Sequence, residues 1–309
     1  MLDPDLSCPV PSFPPSTPRS GPPGAGPDRL AERLTALDAR LRELGSVLVA
    51  FSGGADSALL LAAAVRALGA EHVGAATAVS DSLAGGEEQS AQVFAQSLHV
   101  RWFAPATHEM QREGYRANDG DRCFHCKAEL LDTLAPLAAE QGLAHVATGT
   151  NADDALAGFR PGIRAAAERG AVTPLLDAGM TKDDVRAASR AWGLPTWDKP
   201  AAACLSSRVA FGVPITAHHL ARVDRAERGV RSALTAARVS STDVRVRDLG
   251  EEMARVELDA DAVAGLDEVA AAALVLAVRA AGFQEVLLDP RGFRSGSMNE
   301  LLPSPELFR

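Results

Sequence analysis

The chain has 309 residues, the length of about two domains, and its 47% apolar and 23% charged residues are typical of a globular protein. This composition excludes a fully disordered chain, a collagen and a coiled coil. The 31 basic and 40 acidic residues give a net charge of −9, which disfavours generic binding to nucleic acid. No apolar run reaches the ~18 residues of a membrane span, and no signal peptide is visible. We therefore expect a cytoplasmic protein that binds neither membranes nor nucleic acid.

Strand and helix patterns alternate through the first two thirds of the chain. Residues 1–28 hold nine of the 19 prolines together with Cys8, and we predict that they form a disordered tail. Leucines three and four positions apart predict a helix over 27–44. Later patterns predict strands over 46–51, 72–78, 100–103 and 145–148, and helices over 58–68, 87–98, 128–141 and 182–192. This order predicts an α/β domain over 29–205 with a doubly wound parallel sheet, which binds ligands at the carboxyl ends of its strands.

The pattern changes after residue 205. The elements predicted there are a helix over 218–236, strands over 243–248 and 253–258, a helix over 267–281 and a strand over 285–288. This α-β-β-α-β order predicts a smaller α+β domain over 206–309, which we expect to bind substrate or to form an oligomer contact.

The strongest local signal is the loop S-G-G-A-D-S at 52–57, between an apolar strand and an Ala/Leu-rich helix. Glycines let the backbone approach an anion, and a helix N-terminus offers unpaired N–H groups. Asp56 would hold Mg²⁺ or orient the loop. A glycine turn that only caps a helix is the alternative, disfavoured because strand, loop and helix occur in register. We assign to this phosphate site Ser52, Gly53, Gly54, Asp56 and Ser57.

Three further segments are dense in polar and small residues. They are D-R-C-F-H-C-K at 121–127, T-G-T-N-A-D-D at 148–154 with F-R-P-G at 159–162, and W-D-K-P-A-A-A-C-L-S-S-R at 197–208. The loop at 52–57 resembles that of the PP-loop ATP pyrophosphatases, which split ATP into AMP and pyrophosphate. With R-G-F-R-S-G-S-M-N-E at 291–300, these segments resemble the LarE family of ATP-dependent sulfur transferases over most of the chain, from about 47 to 300.

The resemblance implies a concrete reaction. The substrate would be a small-molecule nucleotide, pyridinium-3,5-biscarboxylic acid mononucleotide, and the product a thiocarboxylate for the nickel-pincer cofactor of lactate racemase. One carboxylate attacks the α-phosphate of ATP, and the thiolate of Cys204 displaces AMP to form a thioester. In the sacrificial form the Cα proton is then lost, the C–S bond breaks and the cysteine becomes dehydroalanine. Adenylation supplies the leaving group that a carboxylate lacks, and a thiolate is a competent attacker.

Residue roles follow from the same resemblance. A lone cysteine is ordinarily a buried structural residue, but the motif around Cys204 favours a nucleophile, with Arg208 and Lys199 as nearby cations that would lower its pKa. The catalytic set is Cys204, Asp56, Ser207, Arg208 and Glu227. The set that binds ATP extends the phosphate loop by Gly149, Thr150, Asn151 and Asp153.

Arg245 and Arg247 lie two positions apart on a predicted strand, so their side chains share one face. With Asp289 they resemble positions that bind the substrate phosphate in the family; a solvated face is the alternative for the arginines. Three roles stay open for Glu227 and Asp289: proton acceptor, metal contact or structural ion pair.

Cys123 and Cys126 form a C-x-x-C pair. Together with Cys204 they resemble the family subgroup whose three cysteines hold a [4Fe-4S] cluster, with Cys204 then a ligand that is not consumed. Three thiolates leave one of four irons open, which suits a labile sulfide. Zinc bound with an open position and a purely structural pair are the alternatives.

Three other functions are the alternatives to a LarE-type sulfur transferase. A PP-loop tRNA thiolase with an iron–sulfur cluster would need an RNA-binding surface that the acidic chain does not indicate. An amide-forming PP-loop synthetase would not need the cysteines, and a nucleotide sensor would bind ATP without turnover. We further expect a homo-oligomer and a sulfur donor that is a protein or free sulfide.

Overall fold

The computed structural model describes residues 27–156, 160–200, 204–294 and 297–298, which form two sheets with their helices. The Pro-rich tail up to residue 26, Cys8 included, lies outside the described residues. So do the alanines at 201–203 and most of the ending at 295–309. No helix within the described ranges is long and apolar enough to cross a membrane.

The first sheet has four parallel strands in the order β3-β2-β1-β4. The strands are β1 Val47–Ala50, β2 Val73–Ala76, β3 Arg101–Phe103 and β4 His145–Thr148. In the centre, Val49 of β1 lies in register with Ala75 on one side and Ala147 on the other. Because the strands run in one direction, their carboxyl ends meet at a single edge, where the loop at 52–57 follows β1.

Helices cover both faces of this sheet, because alternate residues of a buried strand point to opposite sides. Val47 and Val49 lie in one apolar core, and Leu48 between them lies in another. This arrangement confirms the predicted doubly wound α/β class. The helices are α1 Pro27–Leu44, α2 Ala55–Leu68, α3 Glu87–Ser97, α4 Glu113–Ala117, α5 Arg122–Glu140, α6 Ala152–Leu156, α7 Pro161–Glu168, α8 Pro174–Asp177 and α9 Lys182–Ala191.

The second sheet is smaller and mixed. Its strands are β5 Val244–Asp248, β6 Met253–Leu258 and β7 Glu285–Leu288, with β5–β6 antiparallel and β6–β7 parallel. Its helices are α10 Ala217–Ala236, α11 Ala260–Ala264 and α12 Glu268–Ala280. Val230 of α10 and Leu274 of α12 lie in its core together with Tyr115, which comes from α4 in the first half of the chain. The two regions are therefore packed against each other through α4.

The predicted order of the main elements is confirmed, with one difference that affects the site. The helix expected from 128 begins at Arg122, so Cys123 and Cys126 lie within the first turns of α5 rather than in a loop before it. The block at 121–127 lacks apolar periodicity, which is why its helix was not predicted. Five helices of eight residues or fewer were also missed, since so few residues show no clear period.

Candidate active site

Gly53 and Gly54 carry the chain from β1 into α2. Gly53 has a φ of +71°, in the left-handed region that favours glycine, and Gly54 is the N-cap of α2. The Oγ atoms of Ser52 and Ser57 lie 3.2 Å apart, and Ser57 Oγ donates to the Gly54 carbonyl at 3.1 Å. Gly54 and both serines line a cavity. The N-terminus of α2 therefore borders an open space in which it can bind an anion.

Gly149, after β4, approaches the backbone of this loop. A Cβ at position 149 would lie 2.9 Å from the backbone nitrogen of Ser57, closer than a real Cβ contact. Next to it the hydroxyls of Thr148 and Thr150 lie 3.1 Å apart. Glycine is therefore required at 149 by tertiary packing, and Gly149 and Thr150 line the same cavity as the loop.

Asp56 is held in place by Asn151, which is fully buried and donates from Nδ2 to Asp56 Oδ1 at 2.9 Å. Burial raises the pKa of Asp56, although the Asn151 hydrogen bond and the charge of Lys182 oppose the shift. Asp153 is placed elsewhere: its carboxylate accepts from the Lys182 N–H at 2.7 Å. Among the residues that the structure describes, the acidic side chains that line the cavity with the loop are Asp56 and Asp154.

Two cavities lie at the carboxyl edge of the first sheet and share part of their walls. The first cavity, of about 390 Å³, contains the phosphate loop; the second, of about 600 Å³, extends to α10 and to Arg245 of β5. We call the shared wall the junction. Its described residues are Ser52, Ala78, Leu83, Cys126, Lys127, Leu130 and Cys204.

The backbone around Cys204 is held from two sides. Its carbonyl accepts from Ser207 Oγ at 2.8 Å and from Arg208 Nη1 at 3.1 Å. The next residue, Leu205, donates its N–H to the Ser82 carbonyl, in the segment after β2, at 2.9 Å. These contacts fix Cys204 at the junction.

Arg208 and Glu227 form a buried ion pair in the wall of the second cavity. Arg208 Nε lies 2.8 Å from Glu227 Oε1, and the side chains are 4% and 8% exposed. Glu227 Oε1 also accepts from the Val246 N–H at 3.2 Å. Of the three roles left open for Glu227, these contacts are those of an ion pair.

Lys199, the other cation expected near Cys204, contacts the phosphate loop with its side chain. Its Nζ donates to the Gly53 carbonyl at 3.2 Å and to Glu87 Oε2 at 2.7 Å. Lys199 therefore ties α3 to the loop, and Arg208 is the predicted cation that contacts Cys204 itself.

Arg245 and Arg247 are both buried, which excludes the alternative of a solvated face. Arg245 lines the second cavity, with Nη2 3.2 Å from Asp243 Oδ1. Arg247 does not line it: its Nη2 lies 2.8 Å from Glu257 Oε2, and its Nη1 donates to the Ser207 carbonyl at 3.2 Å. Burial lowers the pKa of both guanidinium groups. Of these two arginines on one strand, Arg245 is therefore the one that lines a cavity, and the role of both at a substrate phosphate stays a prediction.

Asp289 lines neither cavity among the described residues. Its carboxylate accepts from the Arg291 N–H at 2.9 Å and lies 3.9 Å from Arg255 Nε. The pKa of Asp289 lies below its usual value. Burial alone would raise it, but the hydrogen bonds from Arg291 outweigh burial. Its contacts are those of an ion pair, and its role at a substrate phosphate stays a prediction.

The comparisons with known proteins bear on the family. No family model matches the chain. Over 278 residues, 90% of this chain and 98% of the relative, it is 34% identical to the pyridinium-3,5-bisthiocarboxylic acid mononucleotide synthase of Lactiplantibacillus plantarum. The chain belongs to the LarE family. Over 274 residues, 88% of this chain and 99% of the relative, it is also 42% identical to an uncharacterized protein of Synechocystis sp.. The resemblance to the LarE family is confirmed.

The three cysteines that resemble a LarE subgroup differ in their surroundings. Cys126 and Cys204 line both cavities, whereas Cys123 is exposed and lines neither. Burial raises the pKa of Cys126, and the nearby Cys204, Glu109 and Cys123 add to the shift. Among the described residues no three His, Cys, Asp or Glu side chains form a metal-binding group. The [4Fe-4S] cluster stays a prediction, with zinc and a structural pair as its alternatives.

Two charged residues of this LarE-family site were missed by the motif analysis. Lys127 lies at the junction, and its place directly after the C-x-x-C pair was the signal that could have found it. Glu109 is buried in the second cavity, where its Oε1 accepts from the hydroxyls of Ser80 at 2.5 Å and Ser82 at 2.7 Å. No motif surrounds Glu109, so only the fold reveals it.

Proposed function

We propose that this LarE-family chain is an ATP-dependent sulfur transferase that converts a carboxylate of pyridinium-3,5-biscarboxylic acid mononucleotide into a thiocarboxylate. The name of the L. plantarum relative states a product of that kind, a bisthiocarboxylic acid mononucleotide. One observation carries the proposal: Cys204 lies at the junction of the cavity with the phosphate loop and the cavity with Arg245. A thiol there is placed to attack an acyl group that a nucleotide has activated.

The first cavity is where ATP would bind. The N-terminus of α2 and the hydroxyls of Ser52 and Ser57 hold its phosphates. Asp56 and Asp154 fit a Mg²⁺ ion bound mainly by phosphate oxygens, which would neutralise charge on the pyrophosphate. A substrate carboxylate oxygen attacks the α-phosphorus, the bond from phosphorus to the pyrophosphate oxygen breaks, and pyrophosphate leaves with the electron pair.

Cys204 acts in the second step. Its thiolate attacks the acyl carbon, the bond from that carbon to the AMP oxygen breaks, and AMP leaves as a thioester forms. Arg208, which contacts the Cys204 carbonyl, is the cation that would favour the thiolate, and Glu227 and Ser207 hold Arg208 in position.

Arg245 is the proposed ligand of the substrate phosphate, since it is the member of the predicted arginine pair that lines the second cavity. Arg247 acts indirectly in this scheme. Its contact to the Ser207 carbonyl joins β5 to the turn that carries Cys204.

For the sulfur source we propose the sacrificial route, in which Cys204 gives up its sulfur and becomes dehydroalanine. Cluster-borne sulfide is the second candidate, and the observation that favours it is that Cys126 lines the same junction as Cys204. The exposed position of Cys123 speaks for the sacrificial route. A protein or free sulfide as donor belongs to the second candidate alone.

Pyrophosphate release and protein mass test this proposal together. With ATP, Mg²⁺ and the pyridinium mononucleotide, the wild type should release pyrophosphate and then lose the elements of hydrogen sulfide from its mass. Cys204→Ala should release pyrophosphate without any thiocarboxylate. A sensor would release no pyrophosphate, and an amide-forming synthetase would be unaffected by Cys204→Ala.

Iron analysis separates the two sulfur sources. Protein purified without oxygen should contain no stoichiometric iron or acid-labile sulfide if Cys204 is consumed. About four irons per chain, lost together with visible absorption in Cys123→Ala, would favour the cluster. Sedimentation of the same sample tests the expected homo-oligomer.

A further inference from the structure

Lys127 is a charged residue with no assigned role at the centre of the proposed site. It belongs to α5 and lies at the junction, where it lines the first and the second cavity. The other described residues of the junction are the two cysteines, Ser52 and apolar side chains. Lys127 is therefore the cation that both cavities share in the described chain.

The ammonium group of Lys127 forms no ion pair and no side-chain hydrogen bond among the described residues. Asp154, which lines the first cavity, acts on it only as a more distant charge. Lys199, by contrast, is bound to Glu87 and to the Gly53 carbonyl. A half-buried ammonium group with no carboxylate in contact is costly, unless a ligand supplies the charge.

Burial also favours a bound anion at this position, because it lowers the pKa of Lys127 below its usual value. An anion bound in the cavity would oppose that shift and stabilise the charged ammonium.

The chemistry of the proposed reaction places one anionic group between the two cavities. The adenosine half and the pyrophosphate belong to the first cavity and the acyl half to the second, so the α-phosphate that joins them must lie at the junction. We propose that Lys127 Nζ binds the α-phosphate of ATP and of the acyl-adenylate, and that it is a catalytic residue in both steps. This inference rests on the proposed function.

Lys127 would act as a fixed charge and would transfer no proton. In the first step it stabilises the negative charge that develops on the α-phosphate as the carboxylate attacks and pyrophosphate leaves. In the second step it stabilises AMP as the leaving group while Cys204 attacks. Such preorganised charge in a cavity that excludes water typically contributes 10²–10³-fold to a rate.

Binding of AMP and of adenosine gives a test that needs no turnover. The two ligands differ by the α-phosphate, so the ratio of their affinities isolates the proposed contact. In calorimetry on the full chain, Lys127→Met should raise the Kd for AMP by ~10-fold or more and leave the Kd for adenosine unchanged. An unchanged ratio of the two affinities would overturn the proposal.

The control is Arg101→Met, which also removes a cation, since Arg101 is exposed on β3 and lines neither cavity. It should keep the wild-type affinity ratio. Lys127→Met should not lower the melting temperature, because it removes an unpaired charge from a partly buried site. If Lys127→Met fails to fold, Lys127→Gln carries the same comparison.

Turnover distinguishes this inference from the proposed function. If the wild type releases pyrophosphate with the pyridinium mononucleotide, Lys127→Met should slow that release about 10²–10³-fold. A variant rate within threefold of the wild type overturns the role of Lys127. If the wild type itself releases none, the proposed function fails, and the AMP and adenosine affinities still decide whether Lys127 binds a phosphate.

Discussion

The loop at 52–57 and the arginine-bearing wall of the second cavity are built by different means. The loop uses backbone: the N-terminus of α2, a glycine with positive φ, and Gly149 pressed against Ser57. The wall uses side chains paired across the fold, as in Arg208 with Glu227, and the nearby Arg247, which lines neither cavity, is paired with Glu257. The loop offers backbone N–H donors, which are present whatever the residue type. The wall offers guanidinium groups that are already paired with carboxylates.

This difference decides how each surface can be read and altered. A backbone site depends on the space around a few atoms, so one added methyl group is enough to disturb it. A site of buried ion pairs depends on charge balance, so the loss of one carboxylate leaves its partners uncompensated. Lys127 and Cys204 lie between the two surfaces, and there the chemistry should be most sensitive.

The largest effect is expected at the junction. Cys204→Ala should abolish thiocarboxylate formation, because no thiol remains to displace AMP, while substrate-dependent pyrophosphate release continues. Mass spectrometry of the product and a pyrophosphate assay measure the two steps separately. Cys123→Ala is the control and should keep both activities, as expected for an exposed thiol. Loss of thiocarboxylate formation in Cys123→Ala would count against the sacrificial route.

On β6, beside this wall, Glu257→Gln should lower the free energy of unfolding by about 3–5 kcal/mol, because it leaves buried guanidinium groups uncompensated. Glu257 is fully buried and accepts from Arg247 and Arg255, each at 2.8 Å. Urea denaturation measures the change. The control is Asp38→Asn, which removes the exposed pair with Arg42 and should hardly change the midpoint. Equal effects would mean that the wall is not built on buried charge.

At the loop, Gly149→Ala should lower kcat/KM for ATP by about 10²-fold while folding stays intact, since the new Cβ pushes the backbone of Ser57 away from the phosphates. Steady-state pyrophosphate release gives the number. Gly162→Ala in α7 is the matched control, because a Cβ there meets nothing closer than 3.6 Å. That control should be as active as the wild type. A fully active Gly149→Ala would show that the loop tolerates displacement.

The smallest effect concerns stability at Asp56. Burial raises the pKa of this carboxyl, so the folded chain binds the proton more tightly than the unfolded chain does. The contribution of Asp56 to stability therefore falls as pH rises from the usual carboxyl range through the raised pKa. Asp56→Asn should remove that slope and unfold at slightly higher urea at pH 7, although it loses a Mg²⁺ ligand. Between pH 4 and 8, the urea midpoint of Asp56→Asn should rise relative to that of the wild type. A variant that is less stable than the wild type at pH 7 would contradict this prediction.

Much of the first region could be predicted from sequence. The buried strand β1, the glycine loop and the Ala/Leu-rich helix α2 are consecutive, so their pattern carries its own structural context. The start of α5 could not be predicted, because polar residues at 121–127 have no apolar period. That helix places Cys126 at the junction and leaves Cys123 exposed, a distinction that C-x-x-C spacing cannot express.

The amino-acid sequence alone determined the α/β class, the phosphate loop and the LarE family, because each depends on residues that are neighbours in the chain. Only the tertiary structure decided which charged groups face a cavity. Arg245 lines one while Arg247 is held by Glu257, and Lys127 lies where the two cavities meet, in no ion pair with any residue that the structure describes. The physical reason is that a buried charge is neutralised by opposite charges that lie near it in the fold. Those partners come from distant segments of the chain.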